Sequence, residues 1–236
     1  MGHYGYYGYY FDPTYMLVLI GAVLCLYAQM RVNSTYSKYA KVRSRTGMTG
    51  AQAAQKILGM SGIFDVRIEH VGGRLTDHYD PAHKVLRLSD AVYGSTSIAA
   101  IGVAAHECGH AVQHQREYGP LKIRSALVPA ANIGSRAGIP LIILGAVLGM
   151  NQMLIQIGIW VFALAVLFQV VTLPVEFNAS GRALAMLGDY GMMERDEVSG
   201  CRKVLHAAAL TYVAAAASAI LQLLRLVLLF GRRDND

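Results

Sequence analysis

The sequence predicts a mainly α-helical membrane protein, with about four transmembrane helices, a helical core outside the bilayer and a small antiparallel β-sheet. Three observations lead there. Hydrophobic residues make up 54% of the 236 and charged residues only 15%, and the apolar ones fall in long runs of the kind a bilayer demands. Basic residues cluster, with Arg31, Lys38, Lys41, Arg43 and Arg45 directly after the first run, as in a cytoplasmic membrane-proximal anchor. Residues 65–88 instead alternate polar and apolar side chains with the period of strands.

Residues 1–31 read as a Tyr-rich tail and anchor. The tail carries no Lys or Arg, and its tyrosines suit a membrane interface as well as a disordered low-complexity segment. The strictly apolar part of Tyr15 to Met30 is slightly short of the ~20 residues that cross a bilayer, so the tyrosines complete it. With no positive n-region and no small-residue cleavage site, it is an uncleaved anchor. The positive-inside bias puts residue 31 onward in the cytoplasm.

Residues 32–123 form the core outside the bilayer. Helical spacing runs through 34–63, with breaks at Gly47, Gly59 and Gly62. Val66, Ile68 and His70 alternate with Arg67 and Glu69, Gly72-Gly73 and Asp80-Pro81 are turn signals, and Lys84 to Leu88 is a further strand. Ser95 or Ser97 caps the next helix, which Gly119-Pro120 ends. Residues 124–173 are a transmembrane hairpin. Its second half, Met153 to Leu173, is a clear span, while Arg136, Pro129 and Pro140 leave the first half either a kinked span or a re-entrant segment. Residues 174–206 are charged and helical, with Pro174 placed to open a new helix. Residues 207–236 hold a last span, interrupted by Arg225, and a short tail.

The helix within Ser97 to Gln115 carries His106-Glu107-Cys108-Gly109-His110. Histidines four apart share a helix face, so both can reach one zinc ion, and the glutamate between them can act as base toward a water that the metal activates. That makes the core zincin-like. Cys108 points off the histidine face and reads as packing. Three widely spaced cysteines give no disulfide framework. Gly109 leaves room for another segment to approach the metal.

A catalytic zinc needs a third protein ligand. His114 is excluded, because eight helical residues rise ~12 Å while Zn–N bonds are ~2 Å. A chain that leaves the helix, crosses the bilayer twice and returns near Leu173 meets Glu176 first, with Glu194 and Glu197 as alternatives.

The stretches LTDHYDP, KVLRLS, SIAAIGVAAHECGHAVQH, LPVEFNASGRAL and LTYVAAA span most of the chain after the anchor. In them the sequence resembles the YugP-type membrane zinc metallopeptidases (neutral zinc metallopeptidase family 2) and, more distantly, the HtpX-like gluzincin membrane proteases. The resemblance implies His106, His110 and Glu176 as zinc ligands and Glu107 as catalytic base. It also leads one to expect an acid two residues after Glu176, where this chain has Asn178.

The expectation is a multi-pass membrane endopeptidase with one catalytic Zn²⁺, its site facing the cytoplasm. It would act on a peptide or membrane-protein substrate, within a lipid bilayer and without nucleic acid. An oxyanion donor is expected among His78, Tyr79, Arg182, Arg202, His206 and Tyr212, with His78 and Arg182 as the possible substrate or oxyanion residues. The strands of 65–88 offer an edge for an extended substrate. A non-enzymatic scaffold with a structural zinc would instead need a fourth protein ligand. A transporter would build on Arg136 and Arg225, but no inverted repeat is visible.

Overall fold

The computed structural model describes residues 12–231; most of the Tyr-rich tail and the last five residues lie outside the described residues. The order is α1 (Tyr15–Tyr39), α2 (Gly50–Met60), β1 (Arg67–Val71), β2 (His78–Asp80), β3 (Val85–Ser89), α3 (Ile98–Gln115), α4 (Gly119–Val147), α5 (Gln152–Asp189) and α6 (Arg195–Phe230). Helices α1, α4, α5 and α6 are long and apolar enough to cross a membrane. The chain is therefore a mainly α membrane protein.

Length explains how the membrane helices reach the site. A helix of 38 residues is ~57 Å long, nearly twice the ~30 Å hydrocarbon core. So α5 continues out of the apolar layer, and α6 at 36 residues does the same. These projecting halves pack against α3. Pro174 therefore does not open a new helix as the sequence reading expects; it lies inside α5. Pro174 has no N–H to give the turn before it, but neighbouring helices and hydroxyls make such prolines tolerable in membrane helices. Here Val175, Ala179 and Ala183 are fully buried just beyond Pro174, so packing holds the helix continuous.

The same holds for α4, which is continuous through Pro129 and Pro140, so the re-entrant alternative is not observed. Small residues join α4 to α5: a Cβ added at Gly138 would meet Phe162 at 2.8 Å, and one at Gly158 would meet Ile142 at 2.6 Å. Asn151 caps α5, its side chain accepting from Leu154 N. Arg136 is exposed on α4. Arg225 stacks over the Tyr15 ring, 4.2 Å from its centroid, and pairs with Asp12 at 3.4 Å, a contact that ties α1 to α6. Gly119-Pro120 opens α4 rather than closing α3, since Pro120 occupies the first turn, where its missing N–H costs nothing.

The sheet is mixed, not antiparallel. Its order is β1-β3-β2, with β1 parallel and β2 antiparallel to β3. The cause is the path of residues 72–77. Instead of folding back as a hairpin, they cross the end of β3. Asp90 Oδ2 accepts from Gly73 N at 2.8 Å, and Asp77 accepts from both the N and Oγ of Ser89, at 2.7 and 2.9 Å. Only the Asp80-Pro81 turn makes a hairpin. Central β3 buries Val85, Leu86 and Leu88 completely, and Leu86 and Leu88 join a core shared with α2, α3 and the projecting parts of α5 and α6. A second apolar cluster, including Ile142, Ile155, Phe162 and Leu226, lies among α4, α5 and α6.

Candidate metal centre

Helix α3 begins at Ser97, whose Oγ accepts from Ala100 N, and its small apolar first half is buried. The histidine face then meets α5. Gly109 makes this approach possible, because a Cβ there would lie 2.5 Å from the Ala179 carbonyl oxygen. One turn earlier on α5 stands Glu176.

His106, His110 and Glu176 converge, each offering one ligand atom within 4.8 Å of the others. Glu176 Oε2 lies 3.2 Å from His106 Nε2 and 3.5 Å from His110 Nε2. Two donors of ~2.0–2.1 Å bonds meeting at a tetrahedral angle would be ~3.4 Å apart. Glu176 is 3% exposed, and its Oε2 has no hydrogen-bond partner despite being buried. An orphaned carboxylate oxygen facing two ring nitrogens is costly alone and is satisfied by a cation. The three residues could hold a metal ion, and zinc suits this nitrogen–oxygen set.

Outer contacts aim the rings. His110 Nδ1 donates to Gln113 Oε1 at 3.0 Å, which leaves Nε2 as the lone-pair nitrogen. Gln113 Nε2 in turn donates to the Val175 carbonyl at 2.8 Å and to Asn178 Oδ1 at 3.0 Å. Asn178 Oδ1 also accepts from Arg182 Nε at 2.8 Å. Asn178 thus serves as an acceptor where an acid was expected. His106 Nδ1 meets Ser180 Oγ at 3.1 Å. Burial pulls the His110 imidazole down, but the carboxylates of Glu176 and Glu107 outweigh it and raise its pKa.

Glu107 lines a hollow of about 280 Å³ with His106, His110 and Glu176. A smaller one of about 150 Å³ shares His106, Glu107 and Glu176 as walls. Larger hollows exist elsewhere, but among the described residues only this place brings three metal-ligating side chains together.

The remaining candidates separate by position. His78, Tyr79 and Tyr212 line the 280 Å³ hollow. His78 Nδ1 donates to the Thr76 carbonyl at 2.8 Å, and its Nε2 faces Arg87 Nη1 at 3.3 Å, so its one proton is already engaged. Tyr79 Oη bonds His114 Nδ1 at 2.8 Å, and burial pushes the phenol up to about 12. Arg182 does not line that hollow; it gives its Nε to Asn178 and stacks 5.9 Å from the centroid of Tyr118. Arg202 and His206 line other hollows. Glu194 and Glu197 form the capping box of α6 and bind Arg45. Cys108 Sγ faces the Ala54 carbonyl at 3.7 Å. Burial, with the Glu107 charge behind it, pushes that thiol well above its ordinary pKa.

Two residues escaped the sequence reading. Arg124 on α4 sits 3.6 Å from Glu176 Oε1 and lines the same hollow. Ser180 orients His106. Ser180 lies one turn beyond Glu176, on the same face of α5, and that spacing was its one available signal. Arg124 had none.

Comparison with known proteins agrees with this geometry. A family described as "Putative neutral zinc metallopeptidase" matches residues 14–231. The "Putative membrane protease YugP" of Bacillus subtilis (strain 168) is 48% identical over 221 residues, covering 93% of this chain and 98% of that protein. No solved structure matches the chain significantly. Since the match runs through α3, α5 and all four long helices, the chain belongs to the family of putative neutral zinc metallopeptidases.

Proposed function

We propose that the protein is a zinc-dependent endopeptidase at the membrane surface, with one Zn²⁺ held by His106, His110 and Glu176. The observation that carries this reading is the orphaned Glu176 Oε2 facing two Nε2 atoms, with Glu107 in the wall of the same hollow. A bound zinc supplies Lewis acidity, which makes water a stronger acid and polarises a scissile carbonyl. Glu107, between the two ligand histidines, takes the proton from the attacking water and gives it to the leaving amine. Tyr212 and Arg124 line the hollow beside Glu107 and Glu176, and that position supports them as donors to the developing oxyanion. This ranks them above His78, whose ring proton goes to the Thr76 carbonyl, and above Arg182, which does not line that hollow and gives its Nε to Asn178.

Strand β2 is an edge of the sheet, and its His78 and Tyr79 line the hollow. An extended peptide or a loop of a membrane protein would add to that edge, with main-chain hydrogen bonds holding it across the site. The cations after the first span, Arg31 to Arg45, favour a site facing the cytoplasm. A scaffold with a closed zinc site would need a fourth ligand, whereas the cluster among the described residues has three members.

The test is metal analysis and peptide cleavage by the purified full chain, with and without a chelator, for the wild type and Glu107→Gln. The expected result is equal zinc content and loss of cleavage in the variant. Cleavage at the wild-type rate in Glu107→Gln removes the mechanism, and a chain that takes up no zinc removes the whole reading.

A further inference from the structure

A cavity of about 760 Å³ lies between α1, α5 and α6, apart from the hollow at Glu107. It sits where the apolar run of α1 ends and that of α6 begins, at Arg31 and Ala207. One end is basic. Arg31 and Lys38 are seven residues apart on α1, two turns along one face, with the hydroxyls of Ser34 and Thr35 between them. Lys203 reaches in from α6, one turn before His206. Among the described residues, Arg31, Lys38 and Lys203 have no ion-pair partner. The other end is apolar and open: Phe177, Leu210 and Val213 are 49%, 39% and 39% exposed.

This pairing narrows the occupant. A soluble anion would satisfy the cations and leave the apolar wall uncovered. An apolar partner would cover the wall and leave the three exposed cations without a counter-charge. A phosphodiester with acyl chains does both, and the level of the cavity is that of a lipid head group. We propose that this cavity holds an anionic phospholipid, its phosphate against Arg31, Lys38 and Lys203 and its acyl chains along Phe177, Leu210 and Val213. The site is independent of the peptidase reading, yet it adjoins the metal centre. Phe177 follows Glu176 in α5, and Ala209 lines both this cavity and the 150 Å³ hollow at Glu107.

The experiment uses the full chain in detergent and reads lipid retention by native mass spectrometry. Phosphatidylglycerol and phosphatidylcholine are the lipid probes, and inorganic phosphate is the soluble competitor. The variants are Arg31→Gln, Lys203→Gln and Val213→Trp, which crowds the apolar wall without changing charge. Lys41→Gln is the control, a membrane-proximal cation outside the cavity. The expected result is selective retention of phosphatidylglycerol. Each cavity cation removed weakens it about fivefold, as ~1 kcal/mol per basic residue implies, Val213→Trp weakens it too, and Lys41→Gln leaves it unchanged. Equal loss in Lys41→Gln overturns the proposal in favour of a general surface potential. Equal retention of both lipids overturns it by removing the role of charge. Displacement of the lipid by inorganic phosphate, with Val213→Trp silent, overturns it in favour of a free-phosphate site.

Discussion

Gly109 presses against the Ala179 backbone so closely that a Cβ on it would stand 2.5 Å from the Ala179 carbonyl oxygen. This contact sets the distance between the helix that carries both histidines and the helix that carries Glu176. Neither partner can yield cheaply, because each is backbone within a packed helix. Gly109→Ala should therefore push α5 outward. Overpacking of this kind costs ~1–3 kcal/mol, and that strain falling on the site lowers zinc affinity ~5- to 150-fold. Zinc titration checks it, with helical content by circular dichroism confirming that the variant still folds. Wild-type zinc affinity in a folded Gly109→Ala chain would mean that α5 is not what positions the third ligand.

The chain of contacts from His110 through Gln113 to Asn178 and Arg182 makes a second prediction. Gln113 gives His110 an acceptor and uses its own N–H groups on the Val175 carbonyl and Asn178. Gln113→Leu removes all three bonds and should lower metal affinity ~10–100-fold, as outer-sphere substitutions do. Asn178 contributes only its Oδ1, which accepts from Gln113 and Arg182. A carboxylate accepts equally well. Asn178→Asp should thus keep zinc affinity at or above the wild-type level, while Asn178→Leu should lose it together with Gln113→Leu. Competition titrations with a chromophoric chelator measure all three.

Legibility in the sequence followed the range of the interactions. His106 and His110 were readable because a spacing of four on one helix fixes their relation without reference to the rest of the chain. Glu176 is about 70 positions further on, so local pattern could not reach it. Counting membrane crossings put it first in line, and the family resemblance chose it over Glu194 and Glu197. Its carrier was misread, since Pro174 argues for a helix start by propensity, while packing against α3 and the membrane environment hold the helix continuous. The sheet direction was misread for a similar reason. Parallel pairing of β1 with β3 depends on Asp77 and Asp90 pinning the crossing loop at Ser89 and Gly73, contacts that no alternation pattern encodes. Arg124 was invisible because it falls outside the pattern of His106, His110 and Glu176, and only the packing of α4 beside α5 brings it to Glu176.

His114 offers a control on the ligand set. It lies eight residues beyond His106 on the same helix, ~12 Å along the axis, and its Nδ1 is bonded to Tyr79 Oη. His114→Ala should leave zinc affinity unchanged and cost ~1 kcal/mol of stability through the lost hydrogen bond. Equilibrium zinc binding and thermal unfolding separate the two effects. A large fall in zinc affinity would place His114 in the site and contradict the helix geometry.

The last prediction concerns acid and the β2 edge. Asp80 ends β2, and its carboxylate meets His83 Nδ1 at 2.7 Å and Arg87 Nη1 at 3.0 Å. The His83 and Arg87 hydrogen bonds hold its pKa well below the ordinary aspartate value of 3.8. The sign follows from linkage. A carboxylate with a depressed folded pKa contributes stability that is fully present above the unfolded value and is lost as pH falls through the folded one. Protection of the β2 and β3 amides from hydrogen exchange should therefore stay level from neutral pH down to about 4 in this respect. Below that it should decline as Asp80 begins to bind the proton it excludes in the folded state. Asp80→Asn lacks the contribution at every pH, so its protection should be lower at neutrality and converge with the wild type in acid. Hydrogen exchange followed by mass spectrometry over the 78–89 segment reads both curves. A constant gap between them from neutral pH into acid would show that Asp80 holds the strand by shape rather than by charge.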